Sequence, residues 1–141
     1  MTELRKRSNL PGELAASVDQ ALLPDDEIVY EIKTYRGHGL VMTQQHLLFV
    51  AGGLLAGLKA HEHHVLRVAY TEIASIELVT EKPGCIWVFG LPQTDLVVNL
   101  KDSAKQDPRW TTLTVDYLTI SPAFKLACLV SERIGQSKSA G

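Results

Sequence analysis

Residues 27–50, EIVYEIKTYRGHGLVMTQQHLLFV, decide the fold. Ile28, Tyr30 and Ile32 follow a period of two, which predicts that they share one face of a strand. Two glycines flank His38, and glycine adopts the positive φ of a tight turn without steric cost. The sequence therefore predicts a first strand that ends in a glycine turn at residues 37–39.

More short apolar runs follow at similar spacing. Turn signals such as Gly52-Gly53 and Pro83-Gly84 separate them. Short strands between such turns favour antiparallel sheets over alternating strand–helix units, and the run 73–80, apolar on much of both faces, predicts a central strand. The further predicted strands cover residues 40–42, 46–50, 63–70, 73–80, 85–89, 96–100 and 110–120.

Helical periodicity appears near the two ends of the chain. Leu14, Val18 and Leu22 recur every four residues and predict a short accessory helix that ends before Pro24. A second amphipathic helix is predicted to begin with a serine cap and a proline at the first helical position, and to end at Gly135. Its predicted buried face comprises Phe124, Ala127, Cys128, Ser131 and Ile134, flanked by Leu126 and Val130.

These patterns predict a mainly β domain of the α+β class. The predicted organisation is a tail with an accessory helix over residues 1–22, a domain over 23–136 and a frayed tail over 137–141. An antiparallel barrel has an open end where inner apolar side chains would meet water. We expect the C-terminal amphipathic helix to cover that end.

Composition and net charge indicate a globular domain and argue against nucleic-acid binding. The chain has 141 residues, 45% of them hydrophobic and 21% charged, which is typical of one globular domain. Its net charge of −2 gives no overall attraction to nucleic acid, and the basic run 5–7 lies in a polar tail. We therefore expect no nucleic-acid partner.

Two cysteines, Cys85 and Cys128, lie far apart and form no Cys-x-x-Cys motif. This argues against a structural zinc site and dithiol chemistry. Free thiols without a signal peptide are typical of the cytoplasm, and the longest apolar stretch, broken by glycines, is too short for a membrane span. No catalytic triad can be argued from the spacing of the histidines, so we expect neither an enzyme nor a cofactor.

Three segments resemble the bacterial pleckstrin-homology-like domains. They are residues 23–27 before the first strand, 42–49 across the second turn and 68–76 at a later corner. That family has a leucine–proline–acidic lead-in, a Thr-x-x-x-apolar-apolar-Phe hairpin and a Tyr-x-x-Ile-x-x-Ile corner in this order. The resemblance covers roughly residues 22–134.

The resemblance implies a barrel of two antiparallel sheets, with about seven strands, closed by the C-terminal helix. It also implies non-catalytic roles, often self-assembly or partner binding. The family's hairpin usually carries basic residues where this chain has Gln44, Gln45 and His46, and this departure argues against lipid binding by the hairpin.

A histidine cluster at 61–64 suggests a metal site. His61 and His63 would project from the same side of a strand, and a third ligand would come from His38 or His46. The alternative is a solvated polar strand face. Purified untagged protein that binds no transition metal would exclude the site.

A glycine-rich turn at 52–59 carries three leucines. Lysine does not directly follow its last glycine, so it is not a phosphate-binding loop. If exposed, Leu54, Leu55 and Leu58 would form an apolar tip for a membrane or a second subunit. The alternative is that they fold back over the barrel.

Two cations beside the first turn, Lys33 and Arg36, lie with His38 where related eukaryotic domains hold phosphoinositide headgroups. The alternative is ordinary surface charge, because headgroups usually attract several cations. The sequence thus leaves two main hypotheses. One is self-association or protein binding, aided by exposed sheet edges, Val29 and Tyr35; the other is peripheral membrane binding.

Overall fold

The computed structural model describes residues 7–8, 10, 13–34, 38–52, 63–81, 93–102, 104, 106, 111–115 and 119–140. In chain order the elements are helix α1 (Glu13–Ala21), strands β1 (Ile28–Lys33), β2 (His38–Thr43), β3 (His46–Gly52) and β4 (His63–Ala69), a 3₁₀ turn (Tyr70–Glu72), strands β5 (Ile73–Glu81), β6 (Gln93–Leu100) and β7 (Thr112–Val115), and helix α2 (Ile120–Ala140).

The strands form two antiparallel sheets. One has the order β1-β2-β3-β4 and the other the order β5-β6-β7. This confirms the predicted α+β architecture with a short N-terminal and a longer C-terminal helix. The described strands do not join into a closed barrel, because no ladder links the two sheets within them.

Several local predictions are wrong. His38 and Gly39 already belong to β2, where they pair with Ala51 and Val50. A register irregularity between Ile28 and Tyr30 turns Ile28 to the opposite face from Tyr30.

The second sheet also departs from expectation. Among the described strands, β5 lies at the edge of its sheet rather than at its centre, and β6 begins at Gln93. β7 spans Thr112–Val115, and Ile120 already belongs to α2, so the predicted last strand was too long. The predicted strand 85–89 lies outside the described residues.

The main core lies between the two sheets and α2. Its centre is formed by large side chains of β2, β3, β6 and α2 that are nearly or fully buried, such as Leu40, Phe49, Leu96 and Leu126. A second core lies on the other face of the first sheet, where Leu14 and Val18 of α1 cover the strands below. Both faces of β2 and β3 are therefore covered, and the remaining buried members of the second core are Leu10, Ile28, Val41, Leu48 and Val50.

Helix α1 contacts the first sheet through a hydrogen bond at its C-terminal end as well as through its apolar stripe. The guanidinium of Arg67 in β4 donates a hydrogen bond to the carbonyl of Ala21, the last residue of the helix. A cation at this position satisfies a terminal carbonyl and complements the helix dipole. Near the start, the Ser8 hydroxyl donates to the Glu31 carboxylate at 2.7 Å.

The buried face of α2 is shifted from the predicted one, although Ala127 and Ile134 are buried as predicted. Phe124, Cys128 and Ser131 are exposed, whereas Leu126 and Val130 are fully buried. The two candidate faces are neighbouring stripes on one helix, and the branched pair Leu126 and Val130 fills the core better than the small side chains beside Phe124. The buried face comprises Ala123, Leu126, Ala127, Val130 and Ile134.

The bounds of α2 also differ from the prediction. The helix begins at Ile120, before the expected serine cap, and continues past Gly135 to Ala140. Pro122 is tolerated because the first turn of a helix contains N–H groups that have no intrahelical acceptor, so its missing N–H costs little there.

A glutamine side chain between β6 and β7 forms hydrogen bonds to residues of β6 and to the residue before β7. Gln106 accepts a hydrogen bond from the Leu100 N–H at 2.7 Å and donates to the Val98 carbonyl at 2.9 Å and to the Thr111 hydroxyl at 2.7 Å. We expect Gln106→Ala to lower the free energy of unfolding by about 1–3 kcal/mol, because part-buried backbone groups lose their partner. Urea unfolding tests this, with exposed Lys101→Ala as the control; equal stability of both variants would contradict it.

Candidate functional site

The end of the first hairpin holds part of the predicted headgroup site. Lys33 is exposed and His38 is half-buried, and the Thr34 N–H donates to the His38 carbonyl at 2.9 Å. Arg36, the third predicted residue, lies outside the described residues. Headgroup contact by this set remains a prediction.

Thr34 follows Lys33 at the end of β1 and was not singled out in the sequence. It is 3% exposed, and its hydroxyl has no hydrogen-bond partner within the described part of the chain. A buried hydroxyl without a partner is costly and calls for an explanation, such as a bound polar group. No sequence pattern would have revealed it, because its burial depends on how the hairpin end packs.

The leucine tip and the first histidine of the cluster at 61–64 lie outside the described residues. These are Leu54, Leu55, Leu58 and His61. His63 is the first residue of β4 and pairs with Gly52, and its side chain is not described. The exposure of the leucines and the metal site therefore remain predictions.

The remaining histidines are divided between the two ends of β3. His38 and His64 both pair with Ala51, so they lie on one face with a single strand between them. His46 begins β3, about 17 Å away at about 3.4 Å per residue, and cannot complete a site with them. In the described part of the chain, no three His, Cys, Asp or Glu side chains are grouped to hold a metal.

A polar cluster joins the three segments on which the family resemblance rests. It consists of Asp26, Thr43, His46 and Tyr70. The Thr43 hydroxyl donates to the Asp26 carboxylate at 2.6 Å and accepts from the His46 N–H at 2.9 Å. Asp26 is 2% exposed and Thr43 is fully buried, so this contact is made away from water.

Asp26 also organises the backbone around it. Its carboxylate accepts from the N–H groups of Glu27 at 2.9 Å and Gln45 at 3.2 Å, and the His46 imidazole approaches it at 3.4 Å. Charged acceptors make stronger hydrogen bonds than neutral ones, particularly in a buried setting. The lead-in segment is thereby fixed to the β2–β3 turn.

Tyr70 brings in the third segment. Its hydroxyl lies within hydrogen-bonding distance of the Thr43 carbonyl and of the His46 carbonyl, the latter at 2.9 Å. Burial raises the pKa of Tyr70 well above its usual value, the nearby Arg133 opposes this shift and Asp26 adds to it. A tyrosine in this state is a hydrogen-bond donor rather than an acid or base near neutral pH.

The cluster is therefore a structural clamp. Its carboxylate, hydroxyls and backbone groups are engaged with one another, and it leaves no nucleophile–base pair directed at solvent. In the sequence, Asp26 belongs to the lead-in segment and Tyr70 to the later corner. The sequence signal that could have joined them is the short motifs themselves, because each contributes at least one member of the cluster.

The raised pKa of Tyr70 leads to a testable pH dependence. Above pH 10, ionisation of this tyrosine lowers the free energy of the unfolded chain, whereas the folded chain keeps the tyrosine neutral. The free energy of unfolding should then fall by up to about 1.4 kcal/mol per pH unit from this group. Urea unfolding between pH 9 and 11 should show the advantage of wild type over Tyr70→Phe shrinking; a constant difference would contradict the prediction.

The side chains suggested as partner contacts at the sheet edge are not shown to be exposed. Val29, a suggested contact, is 7% exposed and belongs to the main core, and Tyr35 lies outside the described residues. Helix α2 instead presents Phe124 to solvent, 61% exposed. Beside it, the ammonium of Lys125 lies 5.1 Å from the centre of the Tyr30 ring.

Comparison with known proteins supports the fold. Neither a scan against protein-family models nor a search of the curated proteins finds a match. Among solved structures, the chain is similar to the crystal structure of a pleckstrin homology domain from Shewanella amazonensis SB2B, with 17% identity and a TM-score of 0.52, over 84% of this chain and 97% of that one. The two sheets and the C-terminal helix, together with this likeness, establish that the chain has a pleckstrin-homology-like fold.

Proposed function

We propose that the chain is a non-catalytic interaction module that associates with itself or with another protein. The observation that carries this proposal is Phe124. In the described part of the chain no other large apolar side chain is exposed, and an exposed aromatic ring is typical of a protein-binding surface.

Two further features support the proposal. The conspicuous polar side chains, Asp26, Thr43 and Tyr70, are used to hold the fold together. Cys128 is an exposed free thiol, as in proteins of a reducing compartment, and we extend the proposal to a cytoplasmic location. No helix of the described chain is long and apolar enough to cross a membrane.

Co-capture tests self-association directly. Two copies of the chain with different small tags are co-expressed, one tag is captured, and the other is measured. We expect both tags to be recovered together and recovery to fall with Phe124→Ala but not with the exposed-site control Lys101→Ala. Failure to recover the second tag would contradict self-association.

A second candidate function is binding of anionic phospholipid at the end of the first hairpin. It is favoured by the hydroxyl of Thr34, next to exposed Lys33 in the chain, which is buried and has no hydrogen-bond partner among the described residues. We expect vesicles containing a phosphoinositide to carry the protein upward in a flotation assay, and Lys33→Glu to reduce the bound fraction more than Lys101→Glu. Equal flotation with neutral phosphatidylcholine vesicles would contradict it.

A further inference from the structure

One long stripe of α2 faces solvent. Residues along a helix are offset by about 100° each, so side chains three, four and seven apart lie on the same side. Here the exposed residues follow that spacing over four turns. The stripe comprises Ser121, Phe124, Lys125, Cys128, Ser131, Glu132 and Gly135.

The centre line of this stripe is narrow. Ser121, Cys128 and Gly135 are seven residues apart, and each has a small side chain or none. Glycine is unfavourable inside a helix, yet a Cβ added at Gly135 would meet nothing within 4 Å. No contact of the described chain therefore explains this glycine, whereas close approach of another helix would.

The two flanks of the stripe differ in character. Phe124 and Ser131 lie on one side of the centre line, and Lys125 and Glu132 lie on the other. The ammonium of Lys125 is held near Tyr30, so less side-chain freedom is lost when a carboxylate approaches it. The face thus contains one large apolar group and one charge of each sign.

We propose that this stripe binds a second copy of the chain, helix against helix and antiparallel, about a two-fold axis between residues 128 and 129. This inference rests on the proposed function and names its surface. In that arrangement residue 125 of one copy lies level with residue 132 of the other. Both charge pairs, Lys125 with the second copy's Glu132 and the reverse, then form together.

The apolar flank fits the same register. Phe124 lies about 7 Å from the axis at about 1.5 Å rise per residue. It then packs over the second copy's Ser131 and Gly135, whose small size leaves room for a ring. A parallel two-fold pair would instead place the Lys125–Glu132 flank of one copy against the Phe124–Ser131 flank of the other, so that neither charge pair forms. A partner of one charge would satisfy only one flank residue, so the charges favour a second copy.

Sedimentation equilibrium of charge variants tests the register. We expect Lys125→Glu and Glu132→Lys each to weaken the dimer by roughly tenfold, because two symmetric contacts become repulsive. The double variant Lys125→Glu/Glu132→Lys should recover affinity close to that of wild type. Lys101→Glu, which changes the net charge as Lys125→Glu does but at an exposed site elsewhere, should have little effect.

Cys128 gives a second readout without a charge change. The two copies of this thiol lie opposite each other near the axis, so diamide should cross-link them rapidly, taking up the two protons and two electrons that the thiols lose. The cross-link should disappear with Cys128→Ser, persist with Cys85→Ser and form more slowly with Phe124→Ala.

The outcomes separate this inference from the function on which it rests. An oligomer whose affinity is unchanged by both charge reversals, and that does not cross-link through Cys128, would overturn the α2 interface. It would leave self-association intact. A wild-type monomer at every concentration would overturn self-association and the interface together. Restoration of the dimer by the double variant would support both.

Discussion

Replacing Asp26 by alanine is expected to lower the free energy of unfolding by about 3–5 kcal/mol. The change removes one carboxylate but leaves several donors that it had satisfied: the Thr43 hydroxyl and the N–H groups of Glu27 and Gln45. Buried or part-buried donors without an acceptor each cost about 1–3 kcal/mol. Urea unfolding followed by circular dichroism measures the loss.

The adjacent aspartate provides a matched control. Asp25 is exposed, and its backbone carbonyl, not its carboxylate, accepts from the Gln45 side chain. Asp25→Ala should therefore change stability by less than about 0.5 kcal/mol. Similar losses for the two variants would show that Asp26 is not the buried centre of the polar cluster.

Replacing Leu126 by alanine is expected to cost about 2–5 kcal/mol, the range for a fully buried leucine that leaves a cavity. Phe124→Ala, two residues away, should change the stability of the monomer by less than about 0.5 kcal/mol despite removing a larger side chain, because that ring is 61% exposed. Measurement at low protein concentration keeps dimer dissociation from contributing to the difference.

This pair of variants decides which face of α2 packs against the sheets. The face predicted from the sequence contains Phe124, and the observed one contains Leu126. A large loss of stability in Phe124→Ala together with a small loss in Leu126→Ala would contradict the observed orientation and restore the predicted one.

The strands were largely predictable, because a strand buried on one face alternates apolar and polar residues and a strand buried on both faces is a short apolar run. β2 and β3 follow the apolar runs closely, with Met42 paired to Leu47 across the predicted turn. The face of Ile28 was not predictable, since a local register irregularity inverts the alternation without a sequence signal. The face of α2 was ambiguous for a different reason: two neighbouring stripes are both apolar, and only the shape of the core selects Leu126 and Val130.

The polar cluster shows what short motifs can and cannot convey. The lead-in, the hairpin and the corner were recognised separately, but nothing in their spacing along the chain places Asp26 beside Thr43 or Tyr70 beside His46. That contact depends on the sheet, which brings the β2–β3 turn between the other two segments. The relative positions of the predicted binding residues are harder still to predict from sequence. Lys33 and His38 are placed by a turn whose middle is outside the described residues.

The most direct test of the account is the absolute mass of the untagged chain by light scattering after gel filtration, across a dilution series. The account predicts a species of twice the chain mass, 31.0 kDa from two chains of 15.5 kDa, at high concentration, passing to monomer on dilution. Phe124→Ala should move this transition to higher concentration. A mass of one chain at every concentration would contradict the central claim that the domain associates with itself.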